Sequence, residues 1–141
     1  MRIYAVIDTN VLVSAMLKWS SVPGKVLEFA LEGVITPLIN DEILAEYREV
    51  LLRKKFHLNN DIVNDVISSF EEQGEFIDTD QTDIAFSDPK DAVFYEIVME
   101  KRKETGNAYV VTGNIKHFPK QPFVVTPREM LDLLLNNGLL E

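Results

Sequence analysis

The stretch Arg2-Ile3-Tyr4-Ala5-Val6-Ile7-Asp8, near the start of the chain, decides the fold. It is a short and almost unbroken apolar run with β-branched residues, which is typical of a strand buried on both faces of a parallel sheet. The run ends at a carboxylate, and in open parallel sheets the ligand site lies outside the carboxyl ends of the strands. The stretch therefore predicts both a central strand and, at Asp8, a first candidate site residue.

Beyond this stretch, strand-like runs alternate with helical patterns. Four further strands are predicted, at Val34–Ile39, Glu75–Asp78, Ala108–Val111 and Phe123–Val125. Helices are predicted from Val11, over Lys25–Glu32, from Asn40 to about Lys54, over Asn60–Gln73, from Asp88 to about Glu104, and from Thr126 onward. Pro37 weakens the second strand, because proline cannot donate a hydrogen bond to a neighbouring strand. Strands separated by helices imply right-handed crossovers, which predict a three-layer α/β/α fold with a parallel sheet of about five strands.

Composition limits the possible functions. The 141 residues include 14 Lys and Arg, 23 Asp and Glu, two His and no Cys, which gives a formal charge of −9. The length predicts one domain over residues 1–141. The lack of Cys excludes disulfides and thiolate chemistry, and it fits a reducing compartment, so we expect a cytoplasmic location. No window approaches the ~20 apolar residues of a membrane span, and the acidic balance implies that any nucleic acid is held locally.

Four polar side chains are expected at the carboxyl edge of the sheet. Asp8 ends the first strand, Asn114 follows the fourth strand, and Asp91 lies in the first turn of the helix that Asp88 opens. Asp91 shares its direction with the apolar stripe of its helix, so it is expected to face inward. Glu46 lies about 40° outside the apolar stripe of its own helix, closer than the other acids there. An acid that faces inward needs a partner.

These side chains suit one kind of chemistry. Several carboxylates and an amide, with no Cys and few His, are the oxygen ligands that Mg²⁺ or Mn²⁺ prefers. Such an ion makes its bound water more acidic and offsets the charge that develops on a phosphodiester during in-line attack. It also inverts the local charge, so that an acidic protein can accept phosphate. The residues therefore favour metal-assisted hydrolysis of a phosphodiester.

Each position also has a plain structural explanation. Asp8 could cap the following helix, and Asp91 could be the third-position acid of a capped helix start. Glu46 could be a solvated helix acid, and Asn114 a turn residue. Four unrelated caps and turns at one sheet edge are less expected than one shared site.

Four motifs, taken together and in this order, give the chain a family resemblance. They are Val6-Ile7-Asp8-Thr9-Asn10-Val11-Leu12-Val13-Ser14-Ala15, the helix from Asn40 to Leu51, Asp88-Pro89-Lys90-Asp91 with Phe94, and Val110-Val111-Thr112-Gly113-Asn114 with His117-Phe118. The chain resembles PIN-domain proteins, in the branch of toxin components of toxin–antitoxin systems. The resemblance extends from Arg2 to about Leu134.

The resemblance implies a Rossmann-like sheet with strand order 3-2-1-4-5 and a Mg²⁺- or Mn²⁺-dependent endoribonuclease acting on single-stranded RNA. It implies an acidic metal cluster formed by Asp8, Glu46 and Asp91, with Asn114 where many relatives have a fourth acid. Residues that would orient the acids are Thr9, Asn10 and Thr112, and residues that could contact substrate are Lys116 and His117. A protein antitoxin and a homodimer are the partners that the resemblance suggests besides RNA.

Several alternatives stay open. The chain could be a non-catalytic metal- or RNA-binding module, because Asn114 replaces an acid, or a phosphoryl-accepting signalling domain, which is less favoured because the first strand ends in a single acid. The basic triplets Arg53-Lys54-Lys55 and Lys101-Arg102-Lys103 are interpreted as helix-end and surface charges and are not assigned to RNA. The apolar residues of the last segment, Met130 to Leu135 with Leu139 and Leu140, fit a core-facing helix better than an interface.

Overall fold

A parallel sheet of five strands, flanked by six α-helices, forms the part of the chain that the structure describes. The structure is a computed structural model, and it describes residues 1–79, 86 and 88–138. The strand order is β3-β2-β1-β4-β5, which confirms the expected α/β architecture and the order 3-2-1-4-5. The first strand lies at the centre of the sheet, as its unbroken apolar sequence predicts.

The elements follow one another in the predicted alternation. The strands are β1 (Ile3–Ile7), β2 (Ile35–Ile39), β3 (Glu75–Phe76), β4 (Ala108–Val111) and β5 (Val124–Val125). The helices are α1 (Thr9–Leu17), α2 (Val22–Leu31), α3 (Asp41–Leu51), α4 (Asn60–Gln73), α5 (Pro89–Lys101) and α6 (Pro127–Asn136). Two 3₁₀ turns lie at Lys54–Phe56 and Ile115–His117.

The register of β1 and β4 sets the position of the site. Ile7 is opposite Val111, and the next backbone N–H, that of Asp8, donates to the Val111 carbonyl oxygen at 2.9 Å. Both strands therefore end at the same level, so the residues that follow them, Asp8 and Thr112, are neighbours at one edge of the sheet.

Pro37 lies inside β2, which pairs with strands on both sides, so its expected weakening effect is small. The Ile39 carbonyl oxygen accepts from Ile77 on the β3 side, and Pro37, two residues earlier, faces the same way. The paired region with β3 begins only at Leu38. No hydrogen bond to β3 is therefore lost at Pro37, because β3 is not paired with β2 at that position.

Helix starts follow the predicted caps. Asn40 accepts from the Ile43 N–H at 2.8 Å, Asp88 accepts from the Lys90 N–H at 3.0 Å, and Thr126 forms a capping box with Glu129. Several elements end earlier than predicted. α3 ends at Leu51 and not near Lys54, and α5 ends at Lys101 and not near Glu104. In both cases a turn follows the helix, and the spacing of apolar residues does not reveal it.

The core lies between the sheet and the helices. The side chains of Phe94, Tyr95 and Val98 on α5 are buried, as their spacing predicts. α6 buries Met130 and Leu134, which confirms a core-facing helix, whereas Leu139 and Leu140 lie outside the described residues. Among the described residues, no helix is both long enough and apolar enough to cross a membrane.

The interpretation of Lys101 as a surface charge is wrong. Its side chain is 7% exposed, and its Nζ lies 2.7 Å from a Glu75 carboxylate and 2.8 Å from Glu104. The Nζ also lies over the Tyr4 ring, 4.3 Å from the centroid. Lys101 therefore joins the end of α5 to β1 and β3, so part of that basic triplet has a structural role.

Candidate active site

Asp8 is the most deeply buried acid of the candidate site. It follows β1 directly and is 5% exposed. One carboxylate oxygen accepts a hydrogen bond of 2.8 Å from the hydroxyl of Thr112, which follows β4 and is fully buried. Burial raises the pKa of Asp8 more than the Thr112 hydroxyl and the backbone N–H groups of Asn10 and Thr9 lower it. Asp8 occupies the N-cap position of α1, although its side chain makes no regular capping hydrogen bond there.

Asp91 approaches the same place from the first turn of α5. Its side chain is 16% exposed, which agrees with the expectation that it faces inward. Its pKa is raised to about 6, first by burial and then by the negative charges of Asp8, Asp88 and Glu46. The nearby His117 opposes this shift, with its Nδ1 3.9 Å from an Asp91 carboxylate oxygen. Asp91 therefore lies within electrostatic reach of the other predicted acids.

Glu46 enters from α3. It is half-buried, whereas Glu42 and Glu49 on the same helix are exposed, as the helical geometry predicts. Its Oε2 accepts a short hydrogen bond from the hydroxyl of Thr9, which is buried at the start of α1. The structure therefore brings Asp8, Asp91 and Glu46 to one edge of the sheet, and these three acids are called the carboxylate site below.

Three predicted residues lie at the periphery of the carboxylate site. Asn114, Lys116 and His117 are all exposed, in and beside the 3₁₀ turn that follows β4. Asn114 is connected to the site by its backbone N–H, which donates to the Thr112 hydroxyl at 2.9 Å. The exposed Asn10 likewise acts on Asp8 through its backbone N–H. For both asparagines the connection is made by the main chain.

The side chains of the carboxylate site suit a divalent cation by their chemistry. Among the described residues, no three Asp, Glu or His side chains converge closely enough to form a ready-made metal site. The chemistry nevertheless fits, because Asp8 and Asp91 offer two carboxylates, the number that Mg²⁺ typically takes from a protein. Burial raises the pKa of both carboxyl groups, and the charges of Asp8, Asp88 and Glu46 raise that of Asp91 further, so a bound cation would stabilise the ionised forms. Glu46, held by Thr9, is placed to act at longer range.

Tyr47 is a site residue that the sequence placed only in an apolar stripe. Its ring is fully buried, and its hydroxyl donates a hydrogen bond of 2.5 Å to the carbonyl oxygen of Ile7, just before Asp8. Together with the bond between Thr9 and Glu46, this contact fixes α3 to the end of β1. The sequence could have indicated this contact, because a tyrosine in an apolar stripe buries a hydroxyl that needs a hydrogen-bond partner.

A groove of about 460 Å³ lies beside the carboxylate site, between α3 and α5. Its apolar part is formed by Ala45, Pro89 and Val93, and its charged residues are Glu42, Glu46, Glu49 and Lys90. This groove, called the acidic groove below, shares Glu46 with the carboxylate site. No single motif predicts it, because it forms between two helices that are far apart in sequence.

Comparison with known proteins gives one finding. A family model described as a PIN domain matches residues 4–116, which include all three acids and Asn114. Searches of curated proteins and of solved structures found no match. The matched range covers most of the chain and ends within the 3₁₀ turn that follows β4 and Asn114. The chain therefore belongs to the PIN-domain family.

Proposed function

We propose that the protein is a Mg²⁺- or Mn²⁺-dependent endoribonuclease that hydrolyses phosphodiester bonds of single-stranded RNA. PIN domains are generally nucleases that use divalent metals, which supports the reaction class. The observation that carries the proposal is the pair formed by Asp8 and Asp91, whose pKa values are both raised at the carboxyl edge of the sheet. Carboxylates arranged in this way are stabilised by a bound cation, and Asp8 and Asp91 would hold it.

The surrounding residues support definite roles. Thr112 orients one oxygen of Asp8, and Thr9 holds the Oε2 of Glu46, which leaves Glu46 Oε1 to orient the attacking water. A divalent cation, when bound, would stabilise the charge that develops on the phosphodiester and make the water more acidic. His117, beside Asp91, and Lys116 are exposed at the site edge and would contact substrate phosphate.

Asn114 stands where a fourth acid is expected from the resemblance. Its side chain is exposed, and its backbone N–H supports Thr112. We propose that the amide preserves activity by accepting hydrogen bonds from water, and that the smaller negative charge favours one bound ion over two.

The cellular role is proposed from the resemblance to toxin components. A protein antitoxin would then restrain the nuclease, and the proposed location is cytoplasmic. A homodimer is the proposed assembly, and the exposed Leu135 of α6, at 60%, offers apolar surface for one. Cross-linking and sizing of the purified chain, alone and with the product of a neighbouring gene, would test both partners.

The decisive experiment is cleavage of a mixed-sequence single-stranded RNA by purified protein in Mn²⁺, Mg²⁺ or EDTA. Asp91→Asn is compared with Asp132→Asn, a matched change at an exposed position of α6. We expect cleavage that needs the metal, persists in Asp132→Asn and is lost in Asp91→Asn. Equal cleavage by both variants would point to a contaminating nuclease and contradict the proposal.

A non-catalytic metal- or RNA-binding module is the second candidate, favoured by the exposed amide of Asn114 in place of an acid. This function is supported if the folded wild-type protein cuts neither RNA nor DNA but binds Mn²⁺ in a manner that Asp91→Asn abolishes.

A further inference from the structure

A second groove, of about 420 Å³, lies where α3 ends and the chain turns toward α4. Its lining residues are Leu52, Arg53, Lys54, His57, Leu58 and Asn60. Three of these six side chains are basic and none is acidic, in a chain whose formal charge is −9. This surface, called the basic groove below, is therefore a local exception to the acidic composition.

The cations of the basic groove are available to a ligand. Within the described residues, Lys54 and the adjacent Lys55 form no ion pair with an acid. Arg53 pairs with Glu49 at 2.7 Å, but both side chains are largely exposed, so the pair is weak and can be exchanged. By contrast, the buried Lys101 of the other basic triplet is held between two glutamates. Only the groove triplet thus offers lysines without an acidic partner.

The backbone at His57 gives an independent indication. His57 has a φ of 51°, and it is the non-glycine residue with positive φ in the described part of the chain. A left-handed conformation costs free energy for a residue with a Cβ, and such strain is frequent at functional sites. Here the strained residue closes the 3₁₀ turn and lines the basic groove beside Lys54. Glycine would adopt this conformation at a lower cost, so the presence of histidine suggests that the imidazole has a role of its own.

The basic groove is connected to the carboxylate site along α3. Glu46 lies within α3, and Arg53 follows two residues after α3 ends at Leu51. The hydrogen bonds from Arg53 to Glu49 show that these side chains share one face. The pKa of Arg53 is raised chiefly by its hydrogen bond to Glu49, and the charge of Glu46 also contributes. The acidic groove, with its three glutamates, lies beside the same helix.

We propose that the basic groove binds a backbone phosphate of the RNA strand that is cut at the carboxylate site. This inference rests on the proposed function, adds a substrate-binding subsite to it, and revises the interpretation of Arg53 and Lys54 as surface charges without a role in RNA binding. The glutamates of the acidic groove repel phosphate, so a strand that leaves this groove past Lys90 can gain a further electrostatic contact at Lys54 of the basic groove. Leu52 and Leu58 give the groove an apolar surface against which a ribose could pack. The groove thus holds the strand, and the carboxylate site cuts it.

The test measures binding and does not depend on cleavage. A fluorescent single-stranded RNA with phosphorothioate links, which resist hydrolysis, is titrated with the otherwise wild-type 141-residue protein in Mg²⁺, and the dissociation constant is measured at several salt concentrations. Lys54→Gln in this background is compared with Lys25→Gln, a matched change on the exposed side of α2. We expect Lys54→Gln to weaken binding about 3- to 10-fold and to reduce the salt slope by about 0.7, as loss of one phosphate contact predicts. Lys25→Gln should change neither.

A second variant separates binding from folding. His57→Gly removes the imidazole and suits the left-handed backbone, so we expect weaker RNA binding with an unchanged or higher Tm. RNA binding that is unaltered by Lys54→Gln and His57→Gly, or absent in the parent protein, would overturn the inference. The inference would also fail if Lys54→Gln impaired the binding of an acidic peptide but not of RNA, which would assign the groove to a protein partner. Failure of the cleavage assay alone would overturn only the proposed reaction, because RNA binding is measured separately.

Discussion

Thr112 connects two parts of the candidate site through one buried hydroxyl. The hydroxyl donates to Asp8 and accepts from the Asn114 N–H, at 2.8 Å and 2.9 Å. We expect Thr112→Val, which removes the hydroxyl at similar volume, to lower metal-dependent cleavage about 10- to 100-fold, as is usual when a group that orients a ligand is lost. The free energy of unfolding should fall by about 1–3 kcal/mol, because the carboxylate loses a hydrogen bond.

Thr112→Ser is the control, because serine keeps the hydroxyl and removes only a methyl group. Cleavage rates and urea unfolding are measured for all three proteins. Serine should restore most of the activity. A serine variant as inactive as the valine variant would mean that the methyl group, and not the hydroxyl, is important.

Asp91 predicts a pH dependence with a definite sign. Its pKa is about 6 in the folded chain and near 3.8 when unperturbed, so the folded state holds this proton more tightly. Without metal, the contribution of Asp91 to stability therefore decreases as the pH rises from about 4 to about 6, and stays low above that range. We expect Asp91→Asn to raise the free energy of unfolding in EDTA at neutral pH by about 1 kcal/mol, and to have little effect near pH 4. Urea unfolding at both pH values measures it.

The sign of this difference is the critical result. Asp132→Asn provides the control, because that acid is exposed on α6. If Asp91→Asn destabilised the metal-free protein at neutral pH as much as at low pH, Asp91 would be a structural acid with a favourable partner.

At the scale of elements, α3 is held to the sheet by two hydrogen bonds from adjacent residues. Glu46 accepts from Thr9, and Tyr47 donates to the Ile7 carbonyl oxygen. We expect Tyr47→Phe to reduce stability by about 1 kcal/mol and to increase hydrogen exchange in α3, because a buried carbonyl oxygen loses its partner. Cleavage should decrease several-fold through kcat, since Glu46 is displaced while substrate binding is kept.

Tyr109→Phe is the matched control, because Tyr109 is half-buried on β4, away from α3. Hydrogen exchange and steady-state kinetics of both variants measure the effect. An exchange increase spread evenly over the chain would show that Tyr47 contributes general stability and does not specifically hold α3.

The order of elements could be predicted from the sequence, because buried strands and amphipathic helices have different hydrophobic periods. The inward positions of Asp91 and Glu46 followed from helical spacing in the same way. The hydrogen bonds of Tyr47, the burial of Lys101 and the two grooves could not be predicted. The Tyr47 hydrogen bond, the burial of Lys101 and the acidic groove depend on contacts between elements far apart in sequence, as in the pair of Lys101 with Glu75. The basic groove is local in sequence, but its shape depends on the turn between α3 and α4. Pro37 was misleading for the same reason, since its effect depends on where β3 begins.

At the scale of the whole molecule, a negatively charged protein has to bind negatively charged RNA. The chain carries a formal charge of −9, and its carboxylate site and acidic groove add local repulsion toward RNA. A divalent cation at Asp8 and Asp91 would reduce that repulsion, and the basic groove beyond the end of α3 would supply further attraction. The metal should therefore stabilise the fold as well as permit substrate binding, because it neutralises a cluster that is unfavourable without it.

This argument predicts that Mg²⁺ or Mn²⁺ raises the Tm of the wild-type protein above its value in EDTA. At a concentration of about ten times the dissociation constant, binding adds about 1.4 kcal/mol, which corresponds to roughly 4 °C for a chain of this size. Asp91→Asn should remove most of this increase, whereas Asp132→Asn should keep it. Differential scanning fluorimetry with a Mg²⁺ titration, repeated at matched ionic strength with NaCl, separates specific binding from general screening. Equal increases in all three proteins would mean that the cation acts on the acidic surface as a whole and not at the carboxylate site.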